Sequence, residues 1–118
     1  MIKIIPTKLA GCLSIQPEVH IDSRGFFLEI FQAVKYSQIG VNIPFVQDNC
    51  SLSSKGVLRG LHFQKTKPQG KLVWVVYGEI FDVVVDLRST SKTYRNYLSM
   101  VLSGKNKKQI WIPPGFAH

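Results

Sequence analysis

His62 lies in the run Gly56-Val57-Leu58-Arg59-Gly60-Leu61-His62-Phe63-Gln64, where an imidazole and a guanidinium sit among glycines and apolar residues. An imidazole titrates near neutrality, so beside an arginine in a dry pocket it can move a proton on an anionic substrate. A second histidine, His118, follows a proline turn in Pro113-Pro114-Gly115-Phe116-Ala117-His118. Period-2 alternation puts Arg59 and His62 on opposite faces of a straight strand, so a shared pocket requires a bend between them. Gly60 permits one, having no β-carbon. The competing reading of His62 is a core histidine held by a backbone carbonyl.

Further polar residues fall inside apolar runs. In Phe81-Asp82-Val83-Val84-Val85-Asp86-Leu87 the two aspartates share a face with Val84 between them, and Lys71 opens the preceding strand-like run. Buried charges must be paired. Gln47 and Asn49 share a face of Phe45 to Ser51, and Glu29 stands between Leu28 and Ile30. Together these positions predict that one sheet face lines a polar cavity. A metal site is the rival for histidines in a small β-barrel, with a second histidine two residues after the first. That position is Gln64, whose amide is a poor transition-metal ligand, so His62 reads as an acid–base residue and no metal is expected.

The elements that must position these side chains are short strands. Apolar residues recur at close spacing with turn residues every 8 to 12 positions or so, the pattern of an all-β sandwich or barrel. Strands are predicted at Cys12 to Val19, Phe26 to Phe31, Phe45 to Ser51, Val57 to Phe63, Lys71 to Tyr77, Ile80 to Leu87, Tyr97 to Leu102 and Gln109 to Ile112. Only Gln32 to Ile39 reads as a short helix, which Gly40 ends. Sequential short strands of this kind suggest a jelly roll, two facing sheets around a core with a pocket at one end.

Composition narrows the partners. The chain has 118 residues and is read as one domain, with no apolar run near the roughly 20 residues that cross a bilayer. Met1 to Pro6 lacks the apolar stretch of a secretory signal, so a cytoplasmic protein without a membrane partner is expected. Cys12 and Cys50 lack C-x-x-C spacing and are expected as free thiols. A formal charge of +8 favours an anionic partner. Nucleic acid is not expected, because Lys105, Lys107 and Lys108 form a turn-like cluster and most aromatics fall within strand-like runs.

Six runs carry a resemblance: Asp22-Ser23-Arg24-Gly25-Phe26-Phe27-Leu28-Glu29, Gln47-Asp48-Asn49-Cys50-Ser51, Gly56 to Gln64, Gln69-Gly70-Lys71-Leu72-Val73, Gly78 to Arg88 and Trp111 to His118. In order and spacing they closely resemble the dTDP-4-dehydrorhamnose 3,5-epimerase family, metal-independent cupins of nucleotide-sugar metabolism. The resemblance implies a cupin-type jelly roll, no cofactor, and a dTDP-linked 4-keto-6-deoxy sugar inverted at C3 and C5. It implies that His62 is the base, that Lys71 stabilises the enolate with His118 nearby, and that Asp82 supports Lys71. Arg59, Gln47 and Asn49 then match positions that hold diphosphate and sugar, and Arg24, Phe27 and Glu29 match positions that reach the site from the partner in a homodimer.

Family members continue for several tens of residues past the P-x-G-x-x-H turn, through a tyrosine that reprotonates the opposite face and an aspartate that pairs with the histidine. Residues 1–118 are accordingly read as a single cupin domain without its C-terminal part. Trp74 also stands where a basic residue is common in the family. Two alternatives remain beside the epimerase: a related dTDP-sugar 3,4-ketoisomerase or single-centre epimerase, and a sugar-nucleotide-binding fragment without catalysis.

Overall fold

Strand pairing in the computed structural model, which describes residues 1–118, begins where apolar residues alternate and ends where turn residues intervene. The order is β1 Lys3–Pro6, β2 Leu13–Gln16, β3 Val19–Asp22, β4 Gly25–Leu28, α1 Ala33–Gln38, β5 Lys71–Trp74, β6 Glu79–Asp86, β7 Tyr97–Ser103, β8 Gln109–Ile112 and β9 Phe116–Ala117. All pairings are antiparallel. They form a four-stranded sheet β1-β2-β8-β5, a three-stranded sheet β7-β6-β9 and the separate hairpin β3-β4.

The two larger sheets enclose the main core. Val84, Leu98 and Leu102 of one meet Ile110 and Ile112 of the other, with Leu9, Cys12 and Phe116 completing the cluster. On the reverse of the four-stranded sheet, Ile15 and Trp111 pack with Tyr36 and Val41. Strand β8 is therefore buried on both faces, and its alternate residues divide between the two clusters. Cys12 and Cys50 are free, and burial pushes the Cys12 thiol up to about 11. No helix is long and apolar enough to cross a membrane.

The predicted helix forms, with Gln32 as its N-cap accepting from the Lys35 N–H at 2.6 Å. Six residues cannot sustain a helix alone, so packing must hold it. Tyr36 supplies that hold: it is fully buried, and its hydroxyl lies 2.7 Å from Gln109 Oε1 and 2.9 Å from the Ile30 carbonyl.

Two predicted strands are absent. Phe45 to Ser51 and Val57 to Phe63 are irregular and largely open, with Val46 91% and Leu58 89% exposed. A strand exists only where a neighbour takes up its N–H and C=O groups, and here the one backbone pairing with another stretch is at His62. The predicted strand Cys12 to Val19 divides into β2 and β3 around Pro17, which has no N–H to give a ladder.

Asp86, at the end of β6, is fully buried and organises the turn below it. Its Oδ1 accepts from the Arg88 backbone N–H at 3.0 Å and Nε at 2.9 Å. Its Oδ2 accepts from Arg88 Nη2 at 2.9 Å and from the hydroxyls of Ser91 and Thr93 at 2.6 Å each. Arg88 also donates to the Ala10 carbonyl and lies 4.5 Å over the Phe116 ring. Hydrogen bonds from Arg88 foremost, then from Ser91 and Thr93, hold the Asp86 carboxyl well below the usual carboxylate range. Gly115 is required beside this cluster, since its φ is +97° and a β-carbon there would lie 2.6 Å from Arg88 Cγ.

Candidate active site

Strand β9 runs beside β6 through the pairs Val85 with Ala117 and Asp86 with Phe116. One step further along this register sets His118 opposite Val84, and directly opposed residues share a face. That face of β6 is the buried one, carrying Asp82, Val84 and Asp86, as the sequence predicts. Asp82 is the diagonal neighbour of His118, and its Oδ1 lies 2.7 Å from His118 Nε2. The other oxygen, Oδ2, is buried without a hydrogen-bond partner.

On its far side His118 meets His62. The His62 N–H donates to the His118 carbonyl at 2.7 Å, and the His118 N–H donates to the His62 carbonyl at 2.9 Å. Two residues that exchange both bonds sit about 5.5 Å apart between Cα atoms, with side chains on the same face. Gly60 makes the approach possible: its φ is +96°, and a β-carbon there would stand 3.1 Å from the His118 carbonyl oxygen. The predicted bend between Arg59 and His62 is thus present at Gly60. Asp82, His118 and His62 form a row across one sheet face, contributed by three distant stretches of chain.

Lys71 belongs to the facing sheet. It pairs with Ile112, as Val73 pairs with Ile110, and Val73, Ile110 and Ile112 all face the inter-sheet core. Strand alternation therefore gives Lys71 the inner face, the side turned toward the other sheet. No carboxylate pairs with its ammonium, and Asp82 is bonded to His118 rather than to Lys71. No three His, Cys, Asp or Glu side chains converge as a metal-ligand set.

The remaining predicted residues are spread over open surface. Arg59 donates through Nε to Ser53 Oγ at 2.8 Å and through Nη2 to the Leu52 carbonyl at 3.3 Å, and Gln47 donates to Asn49 Oδ1 at 3.1 Å. Arg24 pairs with Asp22 at 2.6 Å at the tip of the β3-β4 hairpin, where Phe27 is 70% exposed. Glu29 pairs with Lys35 at 2.7 Å.

His62 is exposed. The enclosed polar cavity predicted around it is not formed by these residues, because the segment bearing Gln47, Asn49 and Arg59 lacks strand partners. Two open concavities of about 500 Å³ lie elsewhere, one beside Thr7 and Tyr97 and one along the hairpin at Arg24 and Phe27. Arg88 escaped the sequence reading as a site-supporting residue. Its signal was present in the spacing of Asp86, Arg88 and the serine and threonine that follow, a cluster able to satisfy one buried carboxylate.

Two facing antiparallel sheets around one core define a cupin-type jelly-roll protein. Residues 6–118 match the family model described as dTDP-4-dehydrorhamnose 3,5-epimerase, and the chain belongs to that family. The dTDP-4-dehydrorhamnose 3,5-epimerase of Methanothermobacter thermautotrophicus is 53% identical over 116 residues, covering 98% of this chain and 63% of the relative. The crystal structure of dTDP-6-deoxy-D-glucose-3,5-epimerase from Legionella pneumophila, in complex with dTDP-4-keto-L-rhamnose, superposes with a TM-score of 0.96 at 51% identity. It is covered over 63% of its length by the whole of this chain. A 3′-monoepimerase from Streptomyces bikiniensis, in complex with dTDP-quinovose, gives a TM-score of 0.87 at 30% identity, over 95% of this chain and 58% of its own. The chain thus spans less than two thirds of the length of these relatives.

Proposed function

We propose that this chain carries the sugar-nucleotide site and base of an isomerase. Its reaction is conversion of dTDP-4-dehydro-6-deoxy-D-glucose to dTDP-4-dehydro-L-rhamnose by inversion at C3 and C5, a step in dTDP-L-rhamnose biosynthesis. The observation that carries this reading is the His62–His118 backbone exchange, which sets an exposed imidazole beside a bonded His–Asp pair.

The chemistry follows from the carbonyl at C4. His62 takes the proton from the adjacent carbon, the C–H electron pair moves into the C–C bond, and the carbonyl π electrons move onto oxygen. The Lys71 ammonium donates a hydrogen bond to that oxygen as negative charge develops there. Inversion is completed when an acid returns a proton to the opposite face. Arg59 suits the diphosphate because its planar donors engage two oxygens together. Neither a cofactor nor a metal is needed for these steps. Arg24, Phe27 and Glu29 serve the site of a partner subunit in a homodimer, and the enzyme works in the cytoplasm without nucleic-acid or membrane partners. Residues 1–118 act as one cupin domain.

A single-centre epimerase is the second reading, favoured by the likeness to the 3′-monoepimerase. Incubating the 4-keto sugar nucleotide with protein in heavy water separates them. Deuterium at both C3 and C5 is expected, and label confined to C3 would refute double epimerisation.

A further inference from the structure

We propose that Asp82 is the positioning residue for His118, holding Nε2 as the hydrogen-bearing nitrogen so that Nδ1 accepts a hydrogen bond from a hydroxyl of the bound hexose. This rests on the sugar-nucleotide reading above and assigns a task to each ring nitrogen. An ionised carboxylate only accepts, so the 2.7 Å contact from Asp82 Oδ1 fixes the hydrogen on Nε2. The Asp82 side chain is 8% exposed and its Oδ2 has no partner, so the carboxylate is committed to His118 through a single bond. The ring cannot drift from it, because the His118 backbone is held by β9 beside β6 on one side and by His62 on the other.

In the neutral ring the lone pair then falls on Nδ1, which has no partner within the chain although the side chain keeps 21% of its surface open. A lone pair takes an O–H donor and repels a phosphate oxygen. His118 therefore reads the sugar and leaves the diphosphate to arginine. The hydroxyls at C2 and C3 of a 4-keto hexose are the donors of the right class, and one of them is the partner.

A cycle between enzyme and ligand tests this, using dTDP, the 4-keto sugar nucleotide and its 2-deoxy and 3-deoxy analogues as probes. Wild-type protein should bind one deoxy analogue roughly tenfold more weakly than the parent, the penalty for an unmet buried polar group. Asp82→Ala should bind parent and that analogue alike, with dTDP affinity unchanged, and Asp82→Asn, which keeps a carbonyl acceptor, should recover part of the discrimination. In wild type, ¹⁵N-correlated NMR should show a protected Nε2 proton on His118. Equal binding of parent and both analogues by wild type overturns the proposal, as does a hydrogen on Nδ1 in place of Nε2. If Asp82→Ala does not fold, those two wild-type measurements still decide. Failure of wild type to bind dTDP or any sugar nucleotide refutes the functional reading and the hydroxyl contact with it, while the Nε2 proton still reports the Asp82 bond.

Discussion

Replacing Asp86 with asparagine should be among the most damaging isosteric changes in this chain. The carboxylate is fully buried and accepts five hydrogen bonds, three of them from Arg88. An amide keeps one acceptor oxygen and turns the other position into a donor, aimed at Arg88 Nη2 and two hydroxyls. Breaking a buried ion pair costs about 3 to 5 kcal/mol, and the low end applies because the Arg88 side chain retains 31% of its exposure. A loss of about 3 kcal/mol lowers the melting temperature of a domain this size by roughly 12 °C. The folded carboxyl titrates below its unfolded value, so its contribution is complete above about pH 4 and is lost as pH falls through the folded value. Chemical denaturation from pH 7 to pH 2 should accordingly show the gap between wild type and Asp86→Asn narrowing in acid. A gap within about 0.5 kcal/mol at pH 7, the range of an inert surface change, would falsify the buried-pair argument.

Substituting His62 with asparagine should abolish deuterium exchange while dTDP affinity stays within about twofold and the melting point holds, since the exposed ring contributes little packing. Loss of stability with normal exchange per folded molecule would return His62 to a structural role. Lys71→Ala should lower turnover by about a hundredfold with nucleotide affinity preserved, and a change in affinity alone would reassign the lysine to phosphate. Gly60→Ala should destabilise by about 1 to 2 kcal/mol at its positive φ and lower exchange by displacing His62 from His118; retained exchange would show that the backbone pair is dispensable. Mixing inactive Arg24→Ala and inactive His62→Ala chains should restore part of the activity by subunit exchange, and no recovery despite proven exchange would remove Arg24 from a partner's site.

Much of the site was legible because its residues violate local pattern. Asp82 and Asp86 stand out as charges on the buried face of β6, and Gly60 as a break in an apolar run. The His118–Asp82 bond was not legible, because it depends on the register of β9 against β6, which no local pattern specifies. The same limit explains Phe45 to Ser51 and Val57 to Phe63. Their residues suit a strand, but strand formation is decided by a partner's backbone rather than by the run itself. The helix at Ala33–Gln38 was readable from Gly40 onward back, whereas the Tyr36–Gln109 contact that holds it joins residues far apart in sequence.

The segment carrying Gln47, Asn49, Arg59 and His62 meets residues 109–118 at two places. At one end Phe45 meets Trp111 edge-on, with ring centroids 5.9 Å apart, and at the other His62 exchanges hydrogen bonds with His118. Between these posts the backbone makes one hydrogen bond of its own, Val57 to Ser54. Releasing one post changes loop-closure entropy by less than about 1 kcal/mol, so chain connectivity alone does little to seat the span. A ligand that grips Gln47, Asn49 and Arg59 therefore seats His62 as well. Affinity and alignment of the base are thermodynamically linked, and slowed amide exchange across residues 46–61 on nucleotide binding is where that linkage becomes visible.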